Sequence, residues 1–245
     1  MESTRPDFIP ESWDLPATIR KRLGDAAGRQ RVMDEEGHLL LILHRAPEPE
    51  DNEVRRPVLF WSRPGGEWKS SPEGGGLDAL DAHLESYRAA IHAQDAAVEA
   101  ANTPRQYFEV MKHVNPLLRS TRNLMNVMQD ARECRPDERR LLNLRDRAVE
   151  LERAIELVAG DAKSGMDFAL AENTEEQSRF AYEATLEARK LNRLVAFFFP
   201  LATLVAVFGM ESPVEVVRLP GFWLVILAGI LAGFFVHLLP RGGKR

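Results

Sequence analysis

The sequence predicts a mostly α-helical membrane protein with a small N-terminal β-containing cytoplasmic module, and three observations predict it. Two long runs near the C-terminus, Leu194–Met210 and Leu219–Pro240, contain no Asp, Glu, Lys or Arg. From Leu77 onward apolar residues recur at the three-four spacing of a helix with one buried face. From Asp161 no proline occurs before Pro200, so one very long stalk helix is expected to continue into the first apolar run. The average composition hides this division. Of 245 residues 28% are charged, the net charge is −5 and the mean hydropathy is −0.28, yet residues 1–193 hold nearly all the charge.

Residues 1–76 read as a small, mostly β module. A Pro-rich start leads into the basic stretch "IRKRLGDAAGRQR", with room for a short helix. "RVMDEEGHLLLILHRA" predicts a strand, a turn around Asp34–Gly37 and a strong strand over His38–His44. After the charged loop "PEPEDNEVRRP", "PVLFWSRPGGEWKSS" predicts a second hairpin turning at Pro64-Gly65-Gly66. "SPEGGG" ends it. A module of this size does not hold a large core alone and is expected to pack on the helices that follow.

Residues 77–160 read as cytoplasmic helices. Leu77, Leu80, Leu84, Tyr87, Ile91 and Val98 form the stripe of the first. Thr103 as N-cap, Pro104 at the first helical position and Gln106 closing a capping box start the second, which runs to about Glu133 with a kink expected at Pro116. Pro136 opens a third, carrying Leu141, Leu144, Ala148, Leu151, Ile155 and Val158. Gly160 is expected to end it and Asp161 to cap the next. Residues 161–193 are then the stalk, followed by a first span at 194–210, an extracellular loop at 211–218, a second span at 219–240 and a basic tail at 241–245.

The span assignment rests on length, since about 17–25 apolar residues cross a hydrocarbon core. The plainer reading of the runs is a pair of buried helices, which rarely lack a polar face over such a length. A loop this short makes the two runs a hairpin. Arg189, Lys190 and Arg193 precede it and Arg241, Lys244 and Arg245 follow it, so the positive-inside rule places both termini in the cytoplasm and Glu211 outside. The location expected is an inner or plasma membrane, multi-pass, with Trp223 at the outer interface. The polar Met1–Pro10 stretch does not read as a signal peptide. The single Cys134 excludes an intramolecular disulfide framework.

Catalytic signatures are missing: there is no P-loop, nucleophile elbow or zinc motif, and the chain does not read as an enzyme. The basic patches at Arg20–Arg22 and Arg139–Arg140 are too short to suggest nucleic acid. His38, His44, His83, His92 and His113 show no metal-ligand spacing. Glu172, Glu175 and Glu176 could hold a regulatory divalent ion, but a solvated charged face is the simpler account. His237, near the end of the second run, reads as an interfacial neutral histidine more readily than as a proton relay.

The tripeptide Gly209-Met210-Glu211, Pro200 nine residues before that glycine, the long helix leading into the first run and the tail "PRGGKR" together resemble the CorA family of divalent-cation channels, in its two-span group. The resemblance covers Asp161–Arg245 well and the helices from Leu77 by general pattern; residues 1–76 are shorter than the family's usual domain. It implies a homopentamer in a lipid bilayer, transporting Mg²⁺ or a related divalent cation, with no cofactor beyond the transported ion. The family signature ends in Asn, and here Glu211 stands in that place. A ring of glutamates at the outer mouth would attract cations and contact the ion's water shell, with weaker selectivity for Mg²⁺. Below Gly209 the three-four spacing picks out Ala202, Phe199, Val195, Leu191, Ala188 and Thr185 as pore-lining or gating positions. The departure from the signature keeps two other classes open. One is a signal-gated membrane pore of the prokaryotic-defence type, opened by a soluble ligand; the other is a non-conducting membrane scaffold.

Overall fold

The computed structural model describes residues 8–48, 56–72 and 74–209, together with Leu227, Ile230 and Leu231. Its element order is α1 (Ala17–Lys21), β1 (Arg31–Glu35), β2 (His38–His44), β3 (Pro57–Ser62), β4 (Trp68–Ser71), α2 (Leu77–Ala100), α3 (Pro104–Cys134) and α4 (Arg139–Gly209). Packing divides the chain into two units, Met1–Ala171 and Glu172–Arg245.

The first unit is built on a four-stranded antiparallel meander in the order β1-β2-β3-β4. Register follows from the turns. Glu35 pairs with His38, leaving a two-residue turn in which Glu36 and Gly37 both have positive φ, 52° and 79°. This is the conformation that joins two twisted strands most tightly, and glycine adopts it without steric cost. Ser62 pairs with Trp68 across the second turn. Both hairpins form where the alternation of strand and turn residues places them.

The run "HLLLILH" has no polar alternation because β2 is covered on both faces. Leu39, Leu41 and Leu43, with Val58 and Phe60 of β3, face the helices and join Leu80, Leu84, Tyr87, Leu117, Leu124, Leu141, Leu144 and Ile155 in the main core. Leu40, Ile42, Leu59 and Trp61 face the other way, onto Ile9, Trp13, Leu15, Ile19 and Ala27. The N-terminal segment is therefore a layer of the fold: Leu15 and Ile19 are fully buried. Each such side chain contributes about 1.5–3 kcal/mol on burial.

Polar contacts tie these layers together. The Tyr87 hydroxyl donates to the His44 carbonyl at 3.0 Å and shares a 2.6 Å hydrogen bond with Ser120 Oγ. Gln30 Nε2 donates to the Ser120 carbonyl at 2.9 Å. One point thus holds the start of β1, the end of β2, α2 and α3. At the other end of α3, Arg135 donates to both carboxylate oxygens of Asp34 and to the Gly37 carbonyl. The Thr103 capping box forms as the sequence predicts, with Gln106 N donating to Thr103 Oγ1 at 3.3 Å and Thr103 N to Gln106 Oε1 at 3.1 Å. Pro116 lies inside α3, which continues through it.

Three expectations are corrected. First, Gly160 does not end a helix: α4 runs unbroken from Arg139 to Gly209 over 71 residues. A glycine inside a helix costs about 1 kcal/mol relative to alanine; here Val158 and Ala162 keep their places in the core on either side of it. Second, the chain is not a mostly α protein with an appended β module. The sheet is sandwiched in the core of the first unit, which is α/β. Third, no helix among the described residues is long and apolar enough to cross a membrane. That overturns the reading of a mostly α, multi-pass membrane protein carrying a two-span hairpin, placed in an inner or plasma membrane with both termini cytoplasmic. The helical part of the first run, Leu194–Gly209, follows directly on the charged residues Arg189, Lys190 and Arg193. The second run, 219–240, lies outside the described residues apart from Leu227, Ile230 and Leu231, as do the loop at 211–218 and the tail at 241–245.

Candidate functional site

The residues singled out along the C-terminal helix all sit on α4 in the second unit. Thr185, Ala188, Leu191, Val195, Phe199 and Ala202 are exposed, and at 100° per residue they fall within one sector of about 120°. Leu191, Val195 and Phe199 are 60%, 52% and 68% exposed. The Thr185 hydroxyl donates to the Ala181 carbonyl at 2.8 Å, a bond within its own helix. Exposure is not confined to that sector. Phe180, Tyr182, Leu194, Phe197 and Phe198 are exposed too, so large apolar side chains encircle the helix. Gly209 is its last residue, while Met210, Glu211 and His237 lie outside the described residues.

The acidic residues Glu172, Glu175 and Glu176 are exposed on the same helix. Among the described residues no group of three or more His, Cys, Asp or Glu side chains is placed to hold a metal ion. Cys134 is half-buried, and burial with the neighbouring Asp34 carboxylate raises its thiol pKa. His38 accepts at Nδ1 from Trp61 Nε1 at 3.1 Å and stacks on that indole, a structural role.

A concave site lies in the first unit, where sequence reasoning did not look. A cleft of about 490 Å³ opens between the end of the sheet and α2. Val58 and Phe60 of β3 and Ser70 of β4 form one wall. The other is a face of α2 built from small residues, Ala79, Ala82, Ser86, Ala90 and Ala93, whose short side chains leave the space. Arg45 and Glu48, in the segment after β2, lie at its edge and are exposed.

His83 lines this cleft and is the chemically distinctive residue in it. It is 8% exposed, and its Nε2 is buried without a hydrogen-bond partner among the described residues. The ring sits 5.9 Å from Phe60 and 5.4 Å from Tyr87, centroid to centroid. Burial first, then the charge of Arg45, pushes its pKa down to about 4, so the ring is neutral at pH 7. Buried polar groups are nearly always hydrogen-bonded, and a native exception calls for an explanation. His83 falls within the Leu80-Leu84-Tyr87 stripe of α2, and its place among apolar positions was the available signal. Arg45, directly after the apolar β2 run, gave none.

The class that the fold defines is an α/β unit, a sheet covered by helices on one face and by the N-terminal segment on the other, with a long helix leaving it in sequence. Among solved structures the chain is similar to that of the full-length CmaX protein, with a TM-score of 0.54 and 16% sequence identity over 93% of this chain and 82% of that one. At this identity the likeness is one of fold, and function must be argued from sites. No family model matches the sequence, and no curated protein matches it.

Proposed function

We propose that the chain works as a CorA-like homo-oligomer that handles divalent cations, Mg²⁺ first, with copies associating along the second part of α4. The observation that carries this reading is the set of exposed side chains from Phe180 to Phe199. A helix with apolar residues on several faces is stable in water only when those faces are covered, and identical copies around an axis cover them equally. By the resemblance, Glu211 of every copy would come near the axis of such an assembly. Like charges brought together raise one another's pKa and attract cations, which relieve the repulsion.

Native mass spectrometry of the full chain tests the assembly. One closed oligomer is expected, five copies by the resemblance, and a monodisperse monomer overturns the proposal. Titration of the oligomer with Mg²⁺ tests the cation: Glu211→Gln keeps the side-chain shape, removes the charge and should weaken binding, most at low salt. Equal binding by both forms removes Glu211 from the reading.

A further inference from the structure

We infer that the first unit carries both halves of a head-to-tail contact between copies of this chain: the outer face of α3 on one copy docks into a cleft between α2 and α4 on the next. The inference rests on the proposed assembly around an axis and adds to it a second interface, made by the first units alone. A closed ring of more than two copies needs two different, mutually complementary faces on each copy. The first is on α3. Arg105, Phe108, Lys112, Asn115, Arg119 and Arg122 recur along it at three-four spacing, and all are exposed. This face holds four cations, one phenylalanine and no carboxylate, on a chain whose net charge is −5. Phe108 is 54% exposed, with the Lys112 ammonium 5.1 Å from its ring centroid.

The second face is a cleft of about 540 Å³ between α2 and α4. Ile91, Leu151 and Val158 are buried at its floor, and Leu157 stands exposed at its side. Charge changes character along this seam. Arg147 of α4 reaches Asp81 and Glu85 of α2, and Arg88 lies 3.4 Å from Glu85, so two guanidiniums balance two carboxylates. At the cleft Asp95, Glu150 and Asp161 follow, with no ion-pair partner among the described residues. An apolar floor rimmed by carboxylates takes an aromatic ring flanked by cations, which is what α3 presents. The spacing agrees. Asp161, Leu157 and Glu150 along α4 match Arg105, Phe108 and Arg119 along α3, run in the opposite chain direction. The outer members are about 16 Å apart on α4 and about 21 Å apart on α3 at 1.5 Å per residue, a difference that long arginine side chains span. One copy cannot join its own two faces. Arg122 of α3 pairs with Glu152 and Glu156, which at 100° per residue point away from Leu151 and Val158 at the cleft. The exposed pair of Lys112 with Glu109 is weak enough to exchange for a new partner.

The test is cross-linking of the full chain by a short bis-maleimide in a Cys134→Ser background. Two differently tagged forms are co-expressed, one with Asn115→Cys on the α3 face and one with Ala154→Cys in the cleft. A covalent dimer of one chain of each kind is expected. Either form alone should give none, because a head-to-tail contact never brings two copies of one position together. A chain with both cysteines should give a ladder that stops at the size of the native oligomer. On the Asn115→Cys chain, Arg105→Glu with Arg119→Glu should lower the mixed yield about 10-fold, and Phe108→Ala should do the same. Glu150→Lys with Asp161→Lys on the Ala154→Cys chain should restore most of the yield lost to the charge reversal. Native mass spectrometry of the wild type separates this inference from the reading it rests on. A monomeric wild type overturns the assembly and this contact with it. An oligomeric wild type without the mixed cross-link, or with a yield indifferent to charge reversal, overturns this contact alone and leaves the cleft to another occupant.

Discussion

His83 should make the stability of the first unit fall in mild acid, and the size of the effect follows from its surroundings. The folded protein holds the imidazole neutral down to about pH 4. The causes are burial, then the Arg45 and His44 charges, which together outweigh a hydrogen bond to the backbone of His44. In the unfolded chain the ring takes a proton near its ordinary 6.5. Between those values the unfolded state binds more protons than the folded state, so stability is fully present above about pH 6.5 and is lost as pH falls toward 4. The gap is worth roughly 3 kcal/mol in full, at about 1.36 kcal/mol per pH unit, and about 2 kcal/mol of it is expressed by pH 4.5. His83→Leu removes the titration and leaves an apolar side chain among Phe60, Tyr87 and Leu80. Urea unfolding followed by tryptophan fluorescence, at pH 7 and pH 4.5 for both proteins, isolates the term. Acid-sensitive carboxylates elsewhere contribute equally to both forms and cancel in the difference. The wild type should lose about 2 kcal/mol more than the variant on going to pH 4.5. An equal loss in the two would show that His83 is not held neutral by its burial, and would undo the electrostatic account of the cleft.

Two further predictions test the frame around the cleft. Gly76, the residue before α2, has φ 58° and ψ −123°, and a Cβ built there would stand 2.7 Å from the Trp68 carbonyl oxygen; Gly76→Ala should destabilise the protein by roughly 2–3 kcal/mol, read as a lower urea midpoint, and an unchanged midpoint would refute the close approach of β4 to α2. Thr103→Ala removes the capping box of α3 and should cost about 1 kcal/mol, whereas Thr103→Ser should restore most of it; a neutral alanine would show that the cap carries no stability.

The local elements were legible in the sequence because their determinants are local. Alternation and turn residues place both hairpins, three-four spacing places α2 and α3, and the Thr103-Pro104-Gln106 pattern marks the start of α3. Gly160 misled because a helix-breaking preference of about 1 kcal/mol is a weak signal against packing on both sides of it. The apolar stretch from Leu194 misled in another way. Lack of charge in a run is not enough for a span, and no helix among the described residues is long and apolar enough to cross a membrane. The candidate site was illegible for a related reason. Arg45, Phe60 and His83 are far apart in sequence, and none carries a motif.

What the sequence by itself determined is which segments become strands and helices, and which residues of α2, α3 and β2 are apolar enough to be buried. Its periodicities and caps act over a few residues and need no partner to be read. Only the tertiary structure decided that the N-terminal segment covers the second face of the sheet, since the burial of Trp13, Leu15 and Ile19 depends on the strands they meet. Only it placed the small face of α2 against the wall at Val58 and Phe60, leaving a cleft beside which His83 is buried with one ring nitrogen unpaired among the described residues. A cavity is a property of two surfaces that fail to fill the space between them, and neither surface carries that information alone.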